Sequence, residues 1–487
     1  MNIADPIRRH ARTIPHAPAC IRHDRVVSYA QFDRTIDAVA RRALDLGLAA
    51  GDHVGVCYPD HPGSGAYYRF LVTALALARI GIAVKSTEGG EEGLVACFSP
   101  DAGRQGGPSR WITVDDAWFD GPDPSHAAPQ VESHAGGTAI CRIFSTSGTT
   151  GTAKCVAVSH DLMFRRIRDD RQLGPYPVTP IVIVHVGPWA GVGFRHALRA
   201  LWTGGALVPA RLPAQIFRAI ARHRVNCMLV APATLSALVE AAPDDRTSLS
   251  SLKSIEVTGS SLPRPLFEEA RRRLCPSILS SYGSTEAGNV AWSRVSDLEG
   301  RPDAVGYVVP GQEVEAVDDD DRPLPAGTVG ILRIRGATCA DGYFRDEEAS
   351  ARTFRGGWFY PGDLGSVSAD GLLTIAGRVS EVINIGGSKF SPRVVEEALL
   401  TVSGIVDAGA FGLPDALGIP SVCAAIVTRG TLATGALEAV CRGLDYAAPR
   451  SIVRLAQIPR NENGKILRAE LARLAGTQGQ HIRTASR

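Results

Sequence analysis

From Ile181 to Ser281, short apolar runs alternate with stretches of helical spacing, a pattern that few architectures accommodate. Ile181-Val182-Ile183-Val184 is continuous and apolar, as a strand covered on both faces must be. Helical spacing follows over 194–202, and 225–230 reads as the next strand. Residues 232–241 read as a helix with Pro232 in its first turn, a position where the missing N–H costs nothing. Residues 253–257, 266–274 and 277–281 continue as strand, helix and strand. Strands separated by helices pair in parallel, so the expected class is α/β with mostly parallel sheets.

The flanking regions have a different texture. Residues 29–46 and 70–80 carry helical spacing, and Gly51-Asp52 turns into a strand at 53–56. Between 88 and 137 the pattern weakens to loops and short elements, and from 305 to 375 it becomes short strands and turns. Asp318-Asp319-Asp320-Asp321 is followed at once by Arg-Pro-Leu-Pro, so it reads as an exposed turn rather than a metal site. Asp370-Gly371 between apolar neighbours marks a hairpin. Ser391-Pro392 opens a helix through Leu399, residues 424–427 read as a strand, and the tail beyond about 475 reads as mobile. A boundary near Arg378 divides a large N-terminal domain, 1–378, from a small α+β domain, 379–487.

Bulk properties exclude several classes. A net charge of +2 on 487 residues offers no electrostatic case for nucleic acid. Arg165-Arg166 and Arg271-Arg272-Arg273 read as solvated helix faces. The 10 cysteines form no CxxC pair, and Cys57, Cys227 and Cys423 sit among apolar neighbours as reduced core residues would. No apolar run reaches the roughly 18 residues of a membrane helix, and the N-terminus lacks a signal-peptide core, so a cytoplasmic location is expected.

Chemistry concentrates first at Thr146-Ser147-Gly148-Thr149-Thr150-Gly151-Thr152-Ala153-Lys154, directly after the apolar run 139–144. Small hydroxyl residues between glycines let a backbone wrap phosphates closely, and Lys154 adds a compact positive charge. Ala153 precedes the lysine and Cys155 follows it, so the glycine-lysine-hydroxyl order of an ordinary P-loop is missing.

This loop resembles the signature of the acyl-adenylate-forming superfamily, which includes acyl- and aryl-CoA synthetases, peptide-synthetase adenylation domains and luciferases. Further motifs follow in that family's order across nearly the whole chain. Ser281-Tyr282-Gly283-Ser284-Thr285-Glu286 is similar to its Tyr-Gly-x-Thr-Glu motif. The resemblance implies that Tyr282 stacks on adenine, Thr285 bonds the α-phosphate and Glu286 holds magnesium, an ion that needs few protein carboxylates beside phosphate oxygens. Gly357-Trp358-Phe359-Tyr360-Pro361-Gly362-Asp363 resembles the ribose-binding segment, with Pro361 in place of the usual threonine, and implies ribose contacts from Asp363 and Arg378. Gly464-Lys465 resembles the motif of the catalytic lysine, which stabilises charge as a carboxylate attacks the α-phosphorus. The resemblance also implies a mobile C-terminal domain whose pivot falls at Ser380, where the family has Asp or Lys. Its thiol-acceptor loop would be Ile385-Gly386-Gly387-Ser388-Lys389.

The acyl pocket implied by the resemblance comprises Trp189, Ala190, Gly259, Ser260 and Gly283. Amino-acid-activating members place an aspartate where Ala190 stands, to pair with the substrate ammonium. Its absence points to an aliphatic or aromatic acid without a free α-amine. ATP and Mg2+ are the implied cofactors, and CoA or a carrier-protein phosphopantetheine is the implied acceptor. The reading of another class is a non-catalytic nucleotide-binding protein of the same fold. The presence of Lys154, Thr285, Glu286, Asp363, Arg378 and Lys465 together argues against it.

Overall fold

The computed structural model describes the chain except residues 23–24, 59–64, 88–90, 102–108, 120–129, 134–135, 147–153, 172, 174–176, 178, 261, 302, 382, 386–387, 415–419, 445–446, 461–463, 465, 479 and 483–487. It divides into two compact units. The first comprises Met1–Glu313 and Ile334–Phe359, the second Val314–Arg333 and Tyr360–Arg487.

Two sheets organise the first unit. One runs Arg110–Thr113, Ala96–Ser99, His53–Val56, Ala83–Ser86, Ile140–Thr146, Lys154–Ser159, parallel throughout except at the last pair. The other has a parallel centre: Pro18–Arg22, Ala206–Leu207, Ile181–Val184, Cys227–Val230, Ser254–Val257, Ile278–Ser284. Antiparallel strands flank it, Arg25–Ser28 on one side and Gly288–Arg294 with Ala304–Val308 on the other. The α/β class read from the alternation is the one observed.

The continuous apolar character of the central strands has a direct cause: both faces are covered. Side chains alternate between faces along a strand. Cys227 and Leu229 therefore join a core between the two sheets, with Val54, Val84 and Phe194. Met228 and Val230 join a second core, with residues of the helices Pro213–His223, Pro232–Glu240 and Arg264–Arg273. The helix Tyr29–Asp45 starts on a capping box, in which Ser28 and Gln31 satisfy each other's backbone N–H. Arg79, fully buried at the end of the helix Ala66–Arg79, is paired with Asp33 at 2.5 Å and Asp37 at 2.6 Å.

The second unit contains the hairpin of Asp363–Val367 and Leu372–Arg378, turned at Asp370-Gly371 as its sequence predicts. Its main sheet runs Ile405–Pro414, Pro420–Thr428, Ser451–Arg454, Gln480–Ile482. One face packs Val395, Leu399 and Leu437 from helices Pro392–Leu400 and Thr434–Gly443, and the other packs Leu471 and Ala475 from helix Arg468–Gln478. Ser391 caps its helix, its hydroxyl accepting from Arg393 N.

Three expectations need correction. The stretch past 475 carries structure over its described part: the helix continues to Gln478 and Gln480–Ile482 pairs with Ser451–Arg454 at the sheet edge, while 479 and 483–487 lie outside the described residues. The strand read over 277–281 runs on to Ser284, because antiparallel pairing with Gly288–Arg294 extends it. Ile383–Ile385 and Ser388–Phe390 are paired strands where a loop was expected; Gly386 and Gly387 between them lie outside the described residues. The aspartate run behaves as expected: Asp318 accepts from Asp320 N and Arg322 N in an exposed turn.

Candidate active site in the first unit

The stretch from Thr146 to Lys154 is the connection of an antiparallel hairpin, with Thr146 opposite Lys154. Ser147, Gly148, Thr149, Thr150 and Gly151 lie outside the described residues, but both ends are placed. Strand leads to strand here, whereas a P-loop leads into a helix. Thr146 Oγ1 donates to the Lys154 carbonyl at 3.3 Å.

The Lys154 ammonium stands 4.7 Å from the ring centre of Tyr343. Tyr343 Oη in turn donates to Glu286 Oε1 at 3.1 Å. One aromatic side chain therefore joins the lysine that ends the glycine-rich loop to the glutamate of the Tyr-Gly-x-Thr-Glu motif. Tyr343 is held on both sides: its N–H donates to Ser350 Oγ, its ring meets Phe354 edge-on, and the next residue's N–H donates to Cys155 O. Burial, and then the charge of Glu286, push its hydroxyl pKa well above the ordinary value, so it stays a donor. Nothing in the sequence reading singled out Tyr343. The contact is long-range, and Asp341-Gly342-Tyr343 alone reads as a turn.

Glu286 sits in the turn between two paired strands and is 7% exposed. Its carbonyl accepts from Ala340 N at 2.7 Å and from Arg166 Nη2 at 2.9 Å. Arg166 Nε also donates to Thr338 O. Arg166 is thus buried, not on a solvated face, and desolvation lowers its pKa to about 10. The signal was present: Leu162, Met163, Arg166, Ile167 and Asp170 share the buried face of helix His160–Asp170 at helical spacing. The hairpin also explains Gly283, where a Cβ would lie 2.1 Å from the Gly288 carbonyl oxygen. Tyr282, Ser281 and Thr285 are half-buried around it.

The segment 187–191 closes on the same region. A methyl group on Gly191 would meet Thr285 at 3.6 Å and Phe144 at 3.8 Å. Trp189 folds over Gly187, where a Cβ would lie 2.0 Å from its ring, and is flanked by Phe70 and the Arg211 guanidinium. Its carbonyl accepts from Ser86 Oγ and from Arg142 Nη2, both at 3.3 Å. Arg142 is fully buried among Phe70, Phe144 and Phe194, with ring centres at 4.7, 4.6 and 4.8 Å, and burial lowers its pKa to about 9. Its place inside the apolar run 139–144 was visible in the sequence and passed over. Ala190 is the N-cap of the helix Gly191–Trp202 and carries no carboxylate, and Gly259, with φ +96°, turns the chain after Ser254–Val257, ahead of half-buried Ser260.

Other predicted site residues belong to the second unit. Asp363 and Arg378 are cross-strand neighbours and form an ion pair at 2.7 Å. Ser380 is exposed in the single turn Val379–Glu381. Lys465 lies outside the described residues; Gly464 before it has φ +79° and its carbonyl accepts from Arg460 Nη1 at 2.8 Å. Lys389 is placed in its short strand by its backbone.

A lysine and a glutamate joined through one tyrosine, beside a glycine- and hydroxyl-rich hairpin connection, define the candidate site. The chain belongs to the AMP-binding enzyme family: that family's model matches residues 94–344, and the model of the AMP-binding enzyme C-terminal domain matches 394–465. Among curated relatives, the 4-coumarate–CoA ligase-like 9 of Oryza sativa subsp. japonica is 30% identical over 353 residues, 68% of this chain and 63% of that protein. The chain therefore spans less than two thirds of that relative's length. The indoleacetate–CoA ligase of Aromatoleum aromaticum is 26% identical over 531 residues, 97% of this chain and 98% of that protein. The fold is shared with the o-succinylbenzoate CoA synthetase of Bacillus subtilis solved with its acyl-adenylate intermediate. That structure has a TM-score of 0.82 at 21% identity, covering 96% of this chain and 97% of the other.

Proposed function

We propose that this chain uses ATP to activate an aliphatic or aromatic carboxylic acid and then passes the acyl group to the thiol of CoA. In the first step a carboxylate oxygen bonds to the α-phosphorus and the bond to pyrophosphate breaks. In the second, the thiol sulfur bonds to the acyl carbon, AMP departs and the thiol proton is released. The observation that carries this reading is the joining of Lys154 and Glu286 through Tyr343, close to the acyl segment at Gly191.

Lys154 supplies positive charge to the phosphates, and Thr285 donates to the α-phosphate. Tyr282 stacks on adenine, while Asp363 and Arg378 contact the ribose. Among the described residues no group of three or more His, Cys, Asp and Glu could cage a metal. A single buried carboxylate oriented by a tyrosine fits magnesium, whose remaining ligands are phosphate oxygens and water. Glu286 would hold that ion, which would supply neutralisation of phosphate charge. Lys465, in a C-terminal domain taken as 379–487, would stabilise the charge that develops at the α-phosphate, with Ser380 as pivot. Gly386, Gly387 and Lys389 would line the approach of the thiol. Ala190 provides no counter-charge for an ammonium, which favours acids without a free α-amine.

The test is acid-dependent exchange of labelled pyrophosphate into ATP over a panel of aliphatic, aromatic and amino acids. Exchange with at least one non-amino acid is expected. Silence across the panel would move the reading to a non-catalytic nucleotide-binding protein. Lys465→Ala should lose exchange yet still form thioester from supplied acyl-adenylate, and equal loss of both steps contradicts the assignment. Product analysis with CoA and with holo-carrier proteins separates the acceptors, and acyl-carrier product alone would replace CoA.

A further inference from the structure

A narrow cavity lies between the helix Gly191–Trp202 and the parallel sheet of the first unit. Val192, His196 and Arg199 share one face of that helix at i, i+4 and i+7. His196 and Arg199 line the cavity, opposite Leu229 and Glu256 on the strands. Asn289 and Trp292 close it from the neighbouring strand, and they pair directly with Gly283 and Ser281 of the adenylate motif. His196 is six residues beyond Ala190, roughly 9 Å along the helix axis at about 1.5 Å per residue. The cavity has room for about two water-sized groups.

The polar groups facing this space are not all satisfied: His196 Nε2 and Asp170 Oδ2 have no hydrogen-bond partner. Arg199 Nη2 lies 2.9 Å from His196 Nδ1. A guanidinium only donates, so Nδ1 is the acceptor and the ring proton sits on Nε2. That Nε2–H has no hydrogen-bond partner, although His196 is only 2% exposed. Glu256 Oε1 stands 3.6 Å away, beyond hydrogen-bond reach. Burial and the charges of Arg199 and Arg195 push the pKa of His196 well down, so the ring is neutral. The charges around it are already matched: Arg199 with Glu256 at 3.3 Å, and Arg195 with Asp170 at 2.8 Å. A second carboxylate or an ammonium brought here would be a buried, uncompensated ion. A hydroxyl brings no charge, accepts from Nε2–H and donates to Glu256, closing the 3.6 Å gap.

We infer that the acid activated by this chain carries a hydroxyl at the end remote from its carboxyl, received between His196 and Glu256. This rests on the adenylating function proposed above. The experiment compares kcat/KM in pyrophosphate exchange for matched acids, aryl and straight-chain, that differ only in a distal hydroxyl. The wild type should prefer the hydroxylated member by about tenfold or more, as the loss of a partner for a buried donor implies. His196→Phe should bring that ratio close to one. Exchange with the parent acids equal to or better than with their hydroxylated forms overturns the inference while leaving adenylation intact, the cavity then holding water. No exchange with any acid overturns both. Should His196→Phe fail to fold, a ladder of hydroxyl positions on the wild type decides: a maximum at one distal position supports the site, and a flat profile sinks it.

Discussion

Replacing Tyr343 by phenylalanine deletes one oxygen and leaves the ring, which separates two contacts that meet on this side chain. The ring beneath the Lys154 ammonium, at 4.7 Å, survives, and with it a contribution of about 0.5–1 kcal/mol. The bond to Glu286 Oε1, at 3.1 Å, is lost. Glu286 is 7% exposed, so water cannot easily replace the missing donor. A hydrogen bond to a charged group is worth about 1.5–3 kcal/mol. The cost should fall on metal binding, because partners that orient a ligand carboxylate change affinity by roughly 10–100-fold when removed. In pyrophosphate exchange at fixed ATP, the half-saturating magnesium concentration of Tyr343→Phe should rise about tenfold, equivalent to about 1.4 kcal/mol. Tyr343→Leu, which also loses the ring, should in addition raise KM for ATP. The tyrosine hydroxyl remains protonated near neutrality, so the magnesium effect should not vary with pH between 6 and 8 through this group. A folded Tyr343→Phe enzyme with wild-type or tighter magnesium dependence would refute the orienting role.

Other outcomes follow from the same geometry. Gly283→Ala places a Cβ 2.1 Å from the Gly288 carbonyl oxygen, so the hairpin must shift; a loss of about 1–3 kcal/mol in denaturant unfolding and a larger loss of exchange activity are expected. A variant as stable and active as wild type would contradict that packing. His160 is buried, accepts from Ile3 N through Nδ1, and has its pKa lowered to about 4, chiefly by burial. The folded state therefore binds fewer protons than the unfolded one between the ordinary value of 6.5 and about 4. Stability from this group is present above pH 6.5 and is lost as pH falls through 4, by about 3 kcal/mol in all. His160→Asn should flatten that part of the acid unfolding profile, measured as denaturant midpoint against pH, and an unchanged slope would show that another group dominates.

Much of this molecule was legible before any coordinates. Local patterns act over a few residues, and the chain encodes them locally. The stretches read as strands at 181–184, 225–230 and 253–257 hold strands of the central sheet, and Ser391 and Asp370-Gly371 start a helix and turn a hairpin through bonds to their own neighbours. The glycine-rich loop and the Tyr-Gly-x-Thr-Glu motif are contiguous, and so they placed the chain in its family. Tertiary structure decided what distant residues do to one another. Arg166 read as solvated because its charge outweighed its helical phase, yet folding buries it against the Glu286 carbonyl, 120 residues away. Tyr343 carries no local signal, since its meaning arises only where Lys154 and Glu286 converge on it. His196 became informative only once Arg199 had claimed one ring nitrogen and left the other without a partner. Sequence spacing determines which residues share a face, but only the packed sheets determine which faces meet, and the chemistry of this site lies where they do.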